Sequence, residues 1–250
     1  MIIHLISRLL RKTLSFSKKV ENNLGYIWDF INHYHYDEAF HNQKSHFTDY
    51  DRYPEIFQEV SSIVINNPKI LSFGCSTGLE CNTLAKKYYK NSKITGYDIS
   101  KKVINGNKAK NKNRSISYSY NIKKLGKYDL IFAMSVLCIW PEIDDNPYSF
   151  DKFEMTLNAI DELLNKDGYL CIYNSTYLFT DTEISKKYKI IKTKHTNTGF
   201  VTKYTKDRSN KIHNYSYLLF QKIVSWMVFF NFIHNFIDVD LKYKPTNKSP

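Results

Sequence analysis

The stretch Lys69–Tyr89 constrains the chain more than any other. KILSF (69–73) is largely apolar and of strand length, GCSTG (74–78) is a turn with a glycine at each end, and Leu79 to Tyr89 follows with helical spacing. A strand that ends in a glycine-bracketed turn and passes straight into a helix gathers backbone N–H groups and the positive end of a helix dipole at one place, which suits a bound ligand. The alternation continues downstream as strand KITGYD (93–98), a Lys-rich helix over 101–110, strand SISYSY (115–120) and strand YDLIFAM (128–134). Strands alternating with helices in this way form a mostly parallel sheet covered on both faces.

The flanks extend that reading. Residues 151–165 place Phe153, Leu157, Ile160 and Leu164 on one helical face, and Lys166-Asp167-Gly168 then releases the chain into YLCIYN. YKIIKT (188–193) and FVTKYTK (200–206) read as two further strands around a turn with Asn197 and Gly199, an antiparallel pair that closes the sheet. Upstream, residues 2–10 and 21–35 have helical character, and Pro54 opens a third helix whose apolar stripe is Ile56, Val60, Ile63 and Val64. The stretch 215–237 is apolar but is interrupted by Gln221, Lys222, Asn231, His234 and Asn235, too often for a clean span. A helix packed on the domain is the first expectation there, and a helix lying at a membrane interface the second.

The expected architecture is therefore α/β: a doubly wound, mostly parallel seven-stranded sheet with an antiparallel last strand, an N-terminal helical layer and a C-terminal helix. Its expected divisions are a helical layer or lid over 1–66, a ligand-binding α/β domain over 67–210, and a packed helix and tail over 211–250. A chain of 250 residues with 42% hydrophobic content supports a core of that size. Cysteines 75, 81, 138 and 171 match no metal-ligand spacing and no disulfide framework, and the N-terminus reads as neither a cleavable signal nor a transmembrane start. A cytoplasmic, reducing setting is expected, with peripheral membrane contact as the alternative.

The formal charge of +12 is concentrated at the ends. Residues 1–25 hold five Lys/Arg and one Glu, residues 183–250 hold thirteen and four acids, and residues 26–182 hold eighteen against nineteen. Basic termini attract anionic lipid or nucleic acid, but the chain is crowded with Lys, Asn, Ile and Tyr throughout, and a compositional bias alone yields such a surface. No specific nucleic-acid partner is expected.

Two features define the ligand. Gly74 and Gly78 bracket Cys75-Ser76-Thr77, so a serine stands where a dinucleotide fingerprint has its middle glycine. A bulky pyrophosphate needs bare backbone there, whereas a smaller and less charged group tolerates Ser76. The second strand ends in Gly96-Tyr97-Asp98, and an acid at that tip accepts hydrogen bonds from the vicinal hydroxyls of a ribose. Asp98 could instead cap the helix over 101–110, but Ser100 fills that role equally well.

From about Lys69 to Asn174 the sequence resembles the class I S-adenosylmethionine-dependent methyltransferases. ILSFGCSTG (70–78) is similar to that family's first motif, in the form with Cys-Ser-Thr between the glycines that chemotaxis-receptor methyltransferases carry. The resemblance departs at Ser72, where the family usually has an acid, and at Ser76, where it often has glycine. It implies S-adenosylmethionine as cofactor and a binding set of Gly74, Cys75, Ser76, Gly78, Glu80, Asp98, Ile99, Asn121, Ile122 and Ser135. Within that set Glu80 would assist the methionine amino group, Asp98 would hold the ribose, and Ile99 and Ile122 would lie against the adenine. Asn121 would accept from the adenine amino group, and Ser135 with Val136 would border the cofactor after the fourth strand. YDLIFAM and LLNKDGYL (163–170) match the family's fourth and fifth strand motifs, with Asp129 structural.

The methyl acceptor is not legible. Methyl transfer from a sulfonium needs an acceptor lone pair opposite the sulfur, and holding the reactants together supplies much of the rate. A base is needed only when the acceptor is a hydroxyl or a protonated amine. His213, Trp140-Pro141-Glu142, Asn174 and Tyr177 are the residues on the expected acceptor side, while Phe47, Tyr50 and Arg52 are candidates for a lid. No Asn/Asp-Pro-Pro-aromatic sequence follows the fourth strand, and a small-molecule acceptor is favoured over a macromolecule. His33, His35, His41 and His46 cluster in sequence without ligand spacing, so no metal is expected. The competing readings are a non-catalytic S-adenosylmethionine-binding or membrane-surface protein and an NAD-dependent oxidoreductase.

Overall fold

The first strand, β1 (Ile70–Phe73), is buried at every residue because it lies in the middle of a sheet with helices on both faces. The computed structural model describes residues 48–139, 148–194, 201–208, 211–212 and 218–223. The helices expected at 2–10 and 21–35, Phe47, Trp140-Pro141-Glu142, the Asn197–Gly199 turn, all eight histidines and most of 215–237 lie outside these residues.

Helix α1 (Pro54–Ile63) precedes β1, with proline at its start. After β1 come α2 (Leu79–Thr83), β2 (Ile94–Tyr97), α3 (Lys101–Lys110), β3 (Ile116–Ser119), β4 (Tyr128–Met134), α4 (Phe150–Leu163) and β5 (Leu164–Tyr173). The expected helix 79–89 is α-helical only to Thr83; Leu84–Tyr88 widens into a π-turn, closed by the Tyr89 N–H donating to the Leu84 carbonyl at 2.7 Å. The chain ends its described course with β6 (Tyr188–Ile191), β7 (Lys203–Tyr204), β8 (Lys211–Ile212) and β9 (Leu218–Lys222).

Seven strands form one sheet in the order β3-β2-β1-β4-β5-β9-β6, with every pairing parallel except the two made by β9. The doubly wound, mostly parallel seven-stranded sheet with an antiparallel last strand is thus as expected, but the residues that form that strand are not. Among the described residues, 201–206 do not pair with 188–193; Lys203–Tyr204 pairs with Lys211–Ile212 in a separate ribbon. The antiparallel strand is Leu218–Lys222, expected to begin a helix, and it inserts between β5 and β6. Its alternation gives the reason. Leu219 enters one core cluster and Phe220 the other, which only a strand passing between the two layers achieves. Lys222 then anchors it, its ammonium lying 2.7 Å from the Asp161 carboxylate of α4. The sheet therefore crosses the boundary expected at residue 210.

Period-two alternation also divides the rest of the core. Ile70, Leu130, Phe132 and Met134 face the layer of α1, with Ile56, Phe57 and Val60, while Leu71, Ile131 and Ala133 face α4, with Phe153, Leu157 and Ile160. Those three α4 side chains are fully buried, and each stabilises the domain by about 1.5–3 kcal/mol relative to exposure. Of the stripe expected on that helix, Leu164 is buried too, but as the first residue of β5.

Candidate cofactor site and acceptor face

The turn after β1 holds three residues at positive φ: Gly74 at 79°, Ser76 at 46° and Gly78 at 79°. A side chain at Gly74 would run into Val136, and a Cβ on Gly78 would lie 2.5 Å from the Tyr118 hydroxyl oxygen, so both positions need glycine for conformation and for space. The turn is pinned from beneath, since the N–H groups of Gly74 and Cys75 both donate to the Tyr97 carbonyl at 2.8 Å. The Cys75 side chain is buried in the core, and burial raises its thiol pKa well above the ordinary range, so only its backbone lies at the turn surface.

Asp98 braces this turn. Its Oδ2 accepts from the Ser76 N–H at 3.0 Å and its Oδ1 from the Ser100 N–H at 2.9 Å. Ser100 is the cap of α3, its hydroxyl accepting from the Val103 N–H at 3.3 Å, so the competing role for Asp98 belongs to its neighbour. The Ser76 carbonyl is held from the other side by the Asn107 amide at 2.7 Å. Asn107, buried on α3, had no signal in the sequence beyond its place in a polar helix.

Glu80 reaches back under the turn. Its Oε1 accepts from the Ser72 hydroxyl at 2.7 Å, and Ser72 is completely buried. Burial pushes the Glu80 carboxyl up to about 7, against the lowering effects of the Ser72 hydrogen bond and the Arg52 guanidinium. Ile99 and Ile122 are partly buried and, like Val136, pack against the core cluster that also contains Phe73 and Tyr97, the last residues of β1 and β2. Asn121 is half-buried and caps a short 3-10 turn, its Oδ1 accepting from the Lys123 N–H at 2.9 Å, so the oxygen expected to meet an adenine amino group already holds a backbone N–H. A second lone pair remains on it.

At the ends of β4 and β5 a second cluster assembles. Ser135 and Asn174 both take positive φ, 56° and 54°, and the Asn174 amide donates to the Ser135 hydroxyl oxygen at 2.8 Å. The Tyr53 hydroxyl lies 2.8 Å from the same oxygen. Tyr53 is 8% exposed, its ring sits edge-on to Tyr173 at 5.1 Å, and burial pushes its phenol up to about 12. The lid candidates behave differently: Tyr50 is exposed beside Lys87, while Arg52 stacks 5.1 Å over the Tyr53 ring. Tyr177, expected on this side, is instead fully buried among Tyr148, Phe150 and Phe153.

Lys203 was missed. It is 5% exposed, and desolvation pulls its ammonium down to about 8 despite the opposing influence of Cys138, whose thiol donates to the Ser135 carbonyl. The signal was the alternation in FVTKYTK, which puts Lys203 on the same face as the buried Val201.

The residues present fit S-adenosylmethionine. A buried carboxylate stands at the β2 tip, partly buried isoleucines follow β2 and β3, and a second carboxyl lies under the turn, groups of the kinds that a ribose, a flat base and an amino group would need. A methyltransferase-domain family model matches residues 66–219, more than half of the chain. No curated protein sequence matches significantly. Among solved structures, the chain is similar to TehB from Haemophilus influenzae, at 17% identity over 68% of this chain and 62% of that one, with a TM-score of 0.45. It is also similar to a precorrin-6y C5,15-methyltransferase from Geobacter metallireducens, at 14% identity over 75% and 96% with a TM-score of 0.44, and to PKMT2 from Rickettsia typhi in complex with AdoHcy, at 22% over 50% and 26% with a TM-score of 0.37. With its strand–turn–helix and acid-tipped second strand inside the matched region, the chain belongs to the methyltransferase-domain family.

Proposed function

We propose that the enzyme methylates a small-molecule acceptor whose nucleophile needs no strong base, presented to the Tyr53–Ser135–Asn174 cluster. The chemistry S-adenosylmethionine supplies when bound is an electrophilic methyl group on a sulfonium. In this reading Asp98 holds the ribose, Ile99 and Ile122 flank the adenine with Asn121 at its edge, and Gly74, Cys75, Ser76 and Gly78 give close backbone approach. Glu80 receives the amino group, and Ser135 borders the reacting end.

The observation that carries the acceptor reading is the neutral, buried cluster at the ends of β4 and β5, with 2.8 Å bonds from Ser135 to both Tyr53 and Asn174. A phenol pushed up to about 12 keeps its proton at neutral pH, so Tyr53 orients by hydrogen bonding and does not take a proton. An amine, carboxylate or thiolate acceptor suits such a surface, with rate drawn from alignment. The burial of all three side chains, each 9% exposed or less, favours a small molecule over a folded protein.

The test is to incubate the enzyme and methyl-tritiated S-adenosylmethionine with a cell extract separated by size. Label entering the fraction below about 1 kDa only when enzyme is present supports the reading. Label confined to protein or nucleic acid overturns the small-molecule assignment and leaves the methyltransferase intact.

A further inference from the structure

The middle of the chain is balanced in charge overall, yet residues 99–128 hold nine Lys/Arg and no acid. Part of this stretch folds against α2 to line a cleft of about 570 Å³. Four cations converge on it: Lys86 from the π-turn, Lys110 at the end of α3, and Lys112 and Arg114 from the following loop. Among the described residues none of the four is held in an ion pair.

The loop that carries two of these cations is held by its own hydrogen bonds. Asn113 Oδ1 accepts from both the Ser115 N–H and hydroxyl, and Asn111 Oδ1 accepts from the Asn113 N–H, bonds that shape the loop. The Asn111 amide donates to the Asn113 and Ile116 carbonyls, which fixes the loop that carries Lys112 and Arg114. The Asn82 amide donates one N–H to the Gly78 carbonyl and has a second available. The cleft adjoins the Gly74–Gly78 turn from the side opposite Asp98: Thr77 of the turn lines it and Asn107 on its wall touches the Ser76 carbonyl, while Asp98 takes the N–H of the same residue.

We propose that this cleft binds a small polyphosphate chain, free or carried by a nucleoside. Four cations without an ion-pair partner among the described residues, around a cavity in the range of small-ligand sites, about 300–1,000 Å³, call for several negative charges in a compact group. A nucleic-acid backbone would instead want cations strung along a surface.

The experiment is calorimetric titration of the full chain with inorganic tripolyphosphate, ATP and a single-stranded oligouridylate. Tripolyphosphate should bind at one site, and the Lys112→Ala/Arg114→Ala double variant should bind it at least about tenfold more weakly. Lys123→Ala/Lys124→Ala, equally basic and exposed but outside the cleft, should leave affinity within about twofold. ATP binding that the first variant weakens in parallel, and that is tighter than tripolyphosphate, assigns a nucleoside-borne chain; equal affinity assigns a free one. No tripolyphosphate binding, equal weakening by both double variants, or binding of the oligonucleotide alone would each overturn the site.

Discussion

The Ser72 hydroxyl donates a 2.7 Å hydrogen bond to the Glu80 carboxylate. In the family that the first motif resembles, an acid usually stands at the position of Ser72. Here the acid is supplied eight residues later, from the first turn of α2, and reaches the same end of β1. Its pKa of about 7 makes the site pH-sensitive. A carboxylate paired with an ammonium is favoured only when ionised, so affinity for S-adenosylhomocysteine should rise with pH between about 6 and 8 and level off above. Glu80→Gln should flatten that dependence and weaken binding about tenfold at pH 8. Calorimetry across pH checks both. The same shift predicts a stability effect of the opposite sense. A carboxyl whose pKa is raised on folding leaves the native state holding more protons than the unfolded state between about 4.5 and 7, so stability falls as pH rises through that window, and Glu80→Gln should lose the slope.

Asp98 braces the turn and, in the proposed reading, also holds the ribose. Asp98→Ala removes the acceptor of the Ser76 and Ser100 N–H groups, and each buried donor left unpaired costs about 1–3 kcal/mol. Cofactor binding should fall at least about 100-fold, since two charge-assisted bonds to a ribose go with it. Asp98→Asn keeps one oxygen acceptor and should fold nearly as well while still binding poorly. If Asp98→Asn bound S-adenosylhomocysteine like wild type, the ribose assignment would be wrong and only the bracing role would stand.

How much of this was legible follows from the range of the interactions. β1, β2 and β4, the turn and Asp98 could be read because strand, glycine turn and helix are encoded within about twenty residues of one another. β9 could not, because LLFQK is too short an apolar run to show its period, and Leu219 and Phe220 face opposite layers only once β5 and β6 flank them. The basic cleft was hidden in a charge count that balanced over a long segment. Tyr53 was passed over for the more conspicuous Tyr50 and Arg52, since only the folded chain brings it 2.8 Å from Ser135, eighty-two residues away.

Gly78 tests whether the turn tolerates any side chain. Alanine there meets a φ of 79° and a Tyr118 oxygen at 2.5 Å, so Gly78→Ala should destabilise the domain by about 2–4 kcal/mol in denaturant unfolding. Adding Tyr118→Phe removes the nearest atom but leaves ring carbons at 3.1 Å and the unfavourable φ. The double variant should therefore recover part of the loss. Full recovery would mean that the backbone at Gly78 relaxes freely, against the pinned turn seen here.

Lys203 separates a structural role from a chemical one. Its pKa is drawn down to about 8 by burial, so between about 8 and 10.5 the unfolded state binds more protons than the native one, and stability should rise with pH through that window. Lys203→Met abolishes the titration. It should flatten that rise and stabilise the protein at pH 7 by about 1–3 kcal/mol. Cofactor affinity should not change, because Lys203 lies by Cys138 and the β4 end and not at the Gly74–Gly78 turn. The discriminating readout is methyl transfer with the acceptor fraction identified by labelling. An enzyme that is more stable, binds S-adenosylhomocysteine normally and has lost turnover would place the Lys203 amine beside the acceptor, and a rate-against-pH profile that loses its inflection near 8 would identify it as the group that titrates there. Unchanged turnover would leave Lys203 as a buried lysine held by the fold, with Tyr53, Ser135 and Asn174 as the polar groups of the acceptor face.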